Sequence, residues 1–359
     1  MKRILSLDIY KALAAIMVIV IHVTATPIVS LTSGAAATVL IAANRFANPA
    51  VPMFVFASGL SLYYIYGDKG IVFTEFLKKR LPKILVPYLC WCSIYYAVFL
   101  YEGIYSFSPQ FFITAVFNGR MLYHLYFVVI IIQFYLVFGV LQYVVKRYSA
   151  WIVLPLGIAI NLLATQILPP SYMDRSFLTY LIYFLLGCCI AKNLELAEAF
   201  MQRHRVMISL GFFSLGGIYA YQFYEAQFFN IGARFIPGFY AYFSFCAVAV
   251  IFYYLVSIYI EAASKRARLL GKGLLDLSDG SYYIYLSHPL ALIAAGLIST
   301  ILGITGVIDQ MILAFVLVWL TAVPLSIYYA KWKSGLKGAT VLGKAAEEIK
   351  TTGVKNQYE

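Results

Sequence analysis

A lysine and a histidine share one side of the first apolar segment. Lys11 precedes His22 by eleven residues, and eleven steps of about 100° return to nearly the same helical side, about 16 Å further along the axis. Ionisable side chains inside apolar spans are costly and are candidates for function. An imidazole can accept a proton near neutral pH, so His22 and Lys11 are candidates for a functional pair. A packed histidine and a snorkelling lysine are the alternatives.

A cluster of cations precedes the third apolar segment, and we expect it to form a loop. It contains Lys78, Lys79, Arg80 and Lys83, and Pro87 follows where a helix would start or kink. Such a cluster can bind phosphate. It can equally anchor the chain at the cytoplasmic side of a membrane or contact anionic lipid heads.

The remaining candidates are small or polar residues in or beside apolar segments: Ser58, His124, Tyr285 and His288. The serine adjoins Gly59, so a backbone or a ligand could approach closely there. We expect His124 to begin the fourth span at the outer face and His288 to lie early in the ninth. Pro289 would free a backbone carbonyl, which makes a structural role for this stretch as plausible as a catalytic one.

The composition indicates an integral membrane protein. Hydrophobic residues make up 63% of the 359 residues and charged residues only 12%, whereas a soluble domain carries about 25% charged residues. This deficit excludes an ordinary soluble globule, a disordered chain and a coiled coil. The aromatic share of 17% suits many membrane–water interfaces, where tyrosine and tryptophan are enriched.

Ten segments are apolar enough to cross a bilayer, which takes about 20 residues each. We expect one all-α transmembrane domain over residues 1–330 and a cytoplasmic tail over 331–359. The segments lie at about 9–30, 49–66, 85–101, 122–141, 151–168, 177–191, 206–222, 238–260, 282–302 and 307–329.

The charge distribution predicts the orientation. The net charge is +12, and with an inside N-terminus only four of the 27 cations fall outside: Arg45, Arg120, Arg175 and Arg234. This positive-inside pattern places both termini in the cytoplasm. Topology therefore accounts for the basic composition, and we expect membrane lipids and no nucleic acid as partners.

No motif for a metal or a resident cofactor is present. The five cysteines fall within or beside apolar runs without the spaced pairs of a zinc site. Gly271-Lys272-Gly273 lacks the upstream glycine of a phosphate-binding loop. We therefore expect neither a bound metal nor a bound cofactor.

Five motifs in order give the chain a resemblance to the acyltransferase-3 family of multi-pass membrane acyltransferases, which O-acylate sugars and glycans. The resemblance covers about residues 5–330. Two lysines stand where the family usually has arginine, Lys11 and Lys83, and lysine keeps the charge but loses the bidentate fork. The motifs are Leu7 to His22, Met53 to Leu60, Arg80-Leu81-Pro82-Lys83 before Pro87-Tyr88, His124 with Tyr126-Phe127, and Tyr282 to Pro289.

The resemblance implies that an acyl-CoA, most often acetyl-CoA, is the co-substrate and enters from the cytoplasm. Lys11, Arg80 and Lys83 would hold its anionic end, and His22 would be the catalytic residue. The acceptor would be a hydroxyl of a cell-envelope glycan or lipid-linked sugar at the outer face of a bacterial plasma membrane. Direct transfer and a covalent acyl-enzyme are both open.

Two other classes compete with a transferase. Ten helices with histidines inside the membrane would also suit a secondary transporter or a polysaccharide exporter. Transporters often contain inverted repeats, and no pairing of the first five spans with the last five is evident. A non-catalytic membrane scaffold is the other alternative.

Overall fold

The computed structural model describes residues 3–67, 69–232 and 237–335. Lys2, Arg234 and the predicted tail beyond Gly335 lie outside the described residues. Within them the chain is helical, without a strand. This confirms the predicted all-α class.

Fourteen α-helices, one 3₁₀ turn and one π-helical turn are found in this part of the chain. The last helix continues beyond the π-helical turn to Gly335. The helices are α1 (Leu5–Ser30), α2 (Ala35–Ala47), α3 (Ala50–Tyr66), α4 (Phe73–Tyr101), α5 (Pro109–Phe117), α6 (Tyr126–Arg147), α7 (Ala150–Ile167), α8 (Pro170–Met173), the 3₁₀ turn Phe177–Tyr180, α9 (Leu181–Lys192), α10 (Leu194–Arg203), α11 (Arg205–Phe229), α12 (Gly238–Ser264), α13 (Arg268–Ile301), α14 (Val307–Leu317) and the π-helical turn Val318–Ala322.

About ten of these helical stretches can cross a membrane. Over the described ranges, nine are long and apolar enough by themselves. A tenth results if Phe177–Lys192 and Leu194–Arg203, which meet at a bend of 106°, form one broken span. The count agrees with the sequence-based expectation, whereas the cytoplasmic placement of the termini stays a prediction.

Several helices extend well beyond their apolar segments. α4 begins at Phe73, so the cations predicted to form a loop lie within its first turns. α13 begins at Arg268, which places His288 in its second half rather than early in the span. The reason is physical: hydropathy marks the part of a helix that needs lipid, while a helix can continue through polar residues at either end.

The second span, Ala35–Tyr66, is longer than the predicted segment and consists of two helices. α2 and α3 meet at Asn48-Pro49, and the sequence-based span began only at residue 49. The missed helix α2 carries Asn44 and Arg45, which lower its hydropathy. Both point to neighbouring helices, where their polar groups find partners.

α1 occupies the centre of the bundle and contacts α2, α3, α12, α13 and α14. α13 runs parallel to it, because earlier residues of both helices line one cavity and later residues of both line another. The helical stretch from Val307 to Gly335 runs the opposite way: near its far end Lys331 pairs with Asp276, near the beginning of α13, at 2.7 Å. We call the end with Lys11, Arg80, Lys83 and Lys331 the basic end, and the other the distal end.

Candidate functional site

A cavity of about 310 Å³ opens at the basic end between α1, α3, α4, α6 and α13. Five of the eight residues singled out from the sequence line it: Lys11, Ser58, Arg80, Lys83 and Tyr285. We call it the basic cavity. Residues from the first and the thirteenth helix thus meet in one space. Its three cations favour an anionic ligand.

Acidic and aromatic side chains hold the cations of this cavity. Asp8, which is almost completely buried, accepts hydrogen bonds from Arg3 and, at 3.4 Å, from the Lys11 ammonium. The Arg80 guanidinium lies 5.5 Å from the centroid of the Tyr66 ring, which is within the range of a cation–π contact. The buried Nε of Arg80 has no hydrogen-bond partner among the described residues.

Three imidazoles meet further along α1 and α13. The rings of His22 and His288 stack with centroids 5.1 Å apart, and the centroids of His124 and His288 are 5.3 Å apart. His124 and His288 are buried, at 3% and 0% exposure, whereas His22 is half-buried. We call these three residues the imidazole cluster.

The helix geometry around His288 sets its tautomer. Its Nδ1 lies 3.0 Å from the carbonyl oxygen of Ile284, one turn earlier in α13. A carbonyl only accepts, so Nδ1 carries the proton and Nε2 keeps its lone pair. The following residue, Pro289, has no N–H to donate to the carbonyl of Tyr285. The Nε2 atom has no hydrogen-bond partner in the described part of the chain.

His124 lies in the turn just before α6, not within the helix that it was expected to begin. Tyr285 donates a hydrogen bond to its backbone carbonyl. Tyr95 donates to the carbonyl of Leu286 at 2.6 Å. These bonds connect the turn, α4 and α13 at the level of the imidazole cluster, which positions the His124 ring against His288.

Asn44 of α2, which the sequence analysis did not single out, holds α1 beside His22. Its amide donates to the carbonyl of Ile21 at 3.0 Å and to the hydroxyl of Thr24 at 2.8 Å. Asn44 is 1% exposed, and a buried amide inside an apolar segment could have been the signal. The contact restrains the turn of α1 from which the His22 side chain projects.

A second cavity, of about 650 Å³, opens at the distal end between α1, α4, α13 and α14. We call it the distal cavity; its lining includes His22, Thr26, Tyr123, Ser299 and Gln310. The Tyr123 ring, also missed by the sequence analysis, lies 4.8 Å from the His22 ring. His22 therefore faces a roomy cavity with several hydroxyl and amide groups.

The two cavities do not share His22. It lines the distal cavity and is absent from the lining of the basic cavity. Tyr285, whose ring lies 5.1 Å from His124 and 6.4 Å from His288, stands between the basic cavity and the imidazole cluster. The structure thus brings the three cations together in the basic cavity and the three histidines together in the imidazole cluster. Packed aromatic rings lie between these two groups.

The described residues contain no group of three or more His, Cys, Asp or Glu side chains placed to hold a metal ion. The charged groups of the basic cavity are cations, which suit an anionic group such as phosphate. The chemistry on offer is therefore anion binding at one end and proton transfer by imidazole further inside.

Comparison with known proteins agrees with the residue pattern. No curated protein and no solved structure matches the chain. A family model described as an acyltransferase domain matches residues 4–331, nearly the whole sequence. That range contains the basic cavity, the imidazole cluster and the distal cavity, and the chain belongs to the acyltransferase-3 family of membrane acyltransferases.

Proposed function

We propose that this protein transfers an acyl group, with acetyl as the expected one, from cytoplasmic acyl-CoA to a hydroxyl of a cell-envelope glycan or lipid-linked sugar. One observation carries the proposal. The stacked His22–His288 pair stands between a cation-lined cavity at one end of the bundle and, at the other, an open cavity whose lining includes hydroxyl and amide groups. An acyl transfer across a membrane needs an anion-binding entrance for the donor and a separate approach for the acceptor.

The basic cavity is suited to the donor. Lys11, Arg80 and Lys83 place three positive charges at its wall, which favours phosphate groups. Deeper in, the wall is formed by Phe54, Phe127 and other apolar side chains. A long, weakly polar arm that ends in a thioester would fit this change from charged to apolar lining.

His22 is the proposed general base. The acceptor O–H gives its proton to the imidazole while its oxygen forms a bond to the thioester carbon. The carbon–sulfur bond then breaks, and the imidazolium returns the proton to the leaving thiolate. The ester and the free thiol are the products, and the neutral imidazole is restored. The stacked His288 ring would hold His22 in position during both proton transfers.

The distal cavity is suited to the acceptor. Thr26, Ser299, Gln310 and the Tyr123 hydroxyl can exchange hydrogen bonds with the hydroxyl groups of a sugar. The volume of about 650 Å³ is typical of a cavity for a small molecule. It is too small for a polymer, so only one or two sugar units would enter while the rest of the glycan stays outside.

Donor and acceptor must meet at His22, and packed rings separate the two cavities in this conformation. We therefore propose that donor binding moves the Tyr285 side chain so that the thioester reaches the imidazole cluster. Such gating would keep acyl-CoA from being hydrolysed while no acceptor is present.

The test is acyl transfer by membranes that contain the His22→Ala variant. Membranes receive acyl-CoA labelled in the acyl group, and label in the glycan fraction is counted against the wild type. Loss of a general base costs typically 10²–10⁴-fold in rate, so transfer should fall to background. Equal amounts of folded protein, checked by size-exclusion chromatography in detergent, separate a catalytic loss from a folding defect. Unchanged transfer by His22→Ala would refute the assignment.

A transporter is the second candidate, because cavities at opposite ends with a closed partition also suit alternating access. The same assay distinguishes it from a transferase. An exporter would move glycan across the membrane without incorporating label from acyl-CoA, and its activity would not depend on added acyl-CoA.

A further inference from the structure

A further polar cavity adjoins the basic cavity at the same end of the bundle. It has a volume of about 510 Å³ and combines the beginning of the described chain with its end. We call it the terminal cavity; its lining includes Arg3, Lys83, Asp279, Tyr283, Lys331 and Lys333. Lys83 lines both cavities. They are therefore adjacent, and a long ligand could occupy both.

One carboxylate holds cations of both cavities. Asp8 accepts hydrogen bonds from Arg3, in the terminal cavity, and from Lys11, in the basic cavity. Arg3 also donates to Asp279 at 2.8 Å. The hydrogen bond to Asp8 raises the pKa of Arg3 above its ordinary value, so the guanidinium stays charged. Asp8 thus keeps both cations at fixed positions along one path.

The two lysines of the last helix are also held in place. Lys333 donates to the hydroxyl of Tyr283 at 3.0 Å, and its ammonium lies 5.5 Å from the centroid of that ring. Lys331 donates to Asp276 at 2.7 Å. Because these side chains are already restrained, an anion that binds them loses less side-chain entropy than it would on mobile surface lysines.

We propose that the terminal cavity binds the phosphate groups at the nucleotide end of the donor, with Arg3, Lys331 and Lys333 as its ligands. The proposal rests on the proposed function. The basic cavity, at about 310 Å³, is too small for a nucleotide together with its thioester arm. The terminal cavity has four cations and one acidic residue in its lining, so it complements several phosphates. The arm would pass Lys83 into the basic cavity.

The same phosphate chemistry could come from a lipid headgroup, so the experiment has one arm for each source. Full-length protein in lipid nanodiscs is titrated with CoA and with pantetheine, the same arm without phosphates. The variant is the Lys331→Gln, Lys333→Gln pair. The matched control is the Lys78→Gln, Lys79→Gln pair, which removes the same charge from two exposed lysines on α4 that line neither cavity.

We expect the Lys331, Lys333 pair to raise the Kd of CoA about tenfold or more, as for the loss of charged hydrogen bonds. The control pair should change this Kd less than threefold, and pantetheine should bind all three proteins equally. Equal unfolding temperatures in phosphatidylcholine nanodiscs show that the variants are folded. If the pair fails to fold, the single Lys333→Gln variant is measured against Lys78→Gln.

Two results would overturn the inference without touching the proposed function. In the first, the Lys331, Lys333 variant pair binds CoA with wild-type affinity. In the second, the pair loses only the rise in unfolding temperature that phosphatidylglycerol nanodiscs give to the wild type. The second result would assign the terminal cavity to a lipid headgroup. If wild-type protein binds neither CoA nor pantetheine, the proposed function itself fails, and this inference fails with it.

Discussion

His288 offers the sharpest test of how the imidazole cluster works. An asparagine at this position can still donate to the Ile284 carbonyl through its amide but removes the ring that stacks on His22. Misplacing a reacting group by about 1 Å can cost on the order of 10²-fold in rate. We therefore expect His288→Asn to lower kcat by about that factor, in acyl-transfer kinetics with labelled acyl-CoA.

The KM for the donor is the internal control, because the cations of the basic cavity are untouched in this variant. The KM should remain within about twofold of the wild type, since the contacts that bind the donor before the reaction are unchanged. A raised KM with unchanged kcat would show that His288 contributes to donor binding and does not position His22.

The residues singled out from the sequence lie together in space, but the sequence did not predict how they are arranged. Lys11, Arg80 and Lys83 carry charge in or beside apolar segments, and the cost of such charges marks them as candidates in the sequence itself. The helical spacing places His22 on the same side of the first helix as Lys11, and the two side chains nevertheless line different cavities. Which cavity a side chain faces depends on how neighbouring helices pack, and helical spacing within one segment contains no such information.

Residues that act through their neighbours were harder to find. Asp8 was not among the residues singled out from the sequence, whereas it pairs with cations of two cavities. Asn44 lies in a stretch too polar to be recognised as part of a span. Its role depends on a contact with α1 across 23 residues of sequence, and the sequence alone does not show that contact.

At the level of elements, α3 and α9 cross at two glycines. Neither glycine should tolerate replacement by a residue with a side chain. A Cβ on Gly59 would lie 2.2 Å from the carbonyl oxygen of Phe184, and one on Gly187 would lie 2.2 Å from that of Phe56. Backbone atoms cannot move aside as a flexible side chain can, and close backbone approach through small residues is how membrane helices gain packing energy.

We expect Gly59→Ala to lower the free energy of unfolding by about 2 kcal/mol or more, as for overpacked cores. Gly139→Ala is the matched control, because its Cβ would meet no heavy atom of another element within 4 Å and alanine favours a helix over glycine. Thermal unfolding in detergent measures both. Equal stability of the two variants would contradict the close crossing.

Hydropathy gave the number of spans well but their ends poorly. The predicted third and ninth spans began at residues 85 and 282, whereas α4 and α13 begin at Phe73 and Arg268. The polar extensions carry Arg80, Lys83 and Asp279, so the missing turns are the ones that build the two cavities at the basic end. Functional residues lower the hydropathy of the segments that hold them.

For the molecule as a whole, the proposed reaction requires its two ends to face different compartments. The distal cavity includes Thr300 at its exposed rim, and the terminal cavity includes the exposed Ser334. With the basic end in the cytoplasm, as the charge distribution predicts, a thiol at position 300 would face the outside and one at position 334 the inside.

Single cysteines at these positions test this orientation in intact cells with a membrane-impermeant thiol reagent. The parent carries Cys90→Ser, because Cys90 is the exposed one among the five cysteines. We expect Thr300→Cys to be labelled in intact cells and Ser334→Cys only after the membrane is opened, with the parent unlabelled in both. The reverse pattern would place the cation-lined cavities outside, where acyl-CoA is absent, and a cytoplasmic donor could not then reach them. Because His22→Ala tests the chemistry and this labelling tests its sidedness, the two failures are distinguishable.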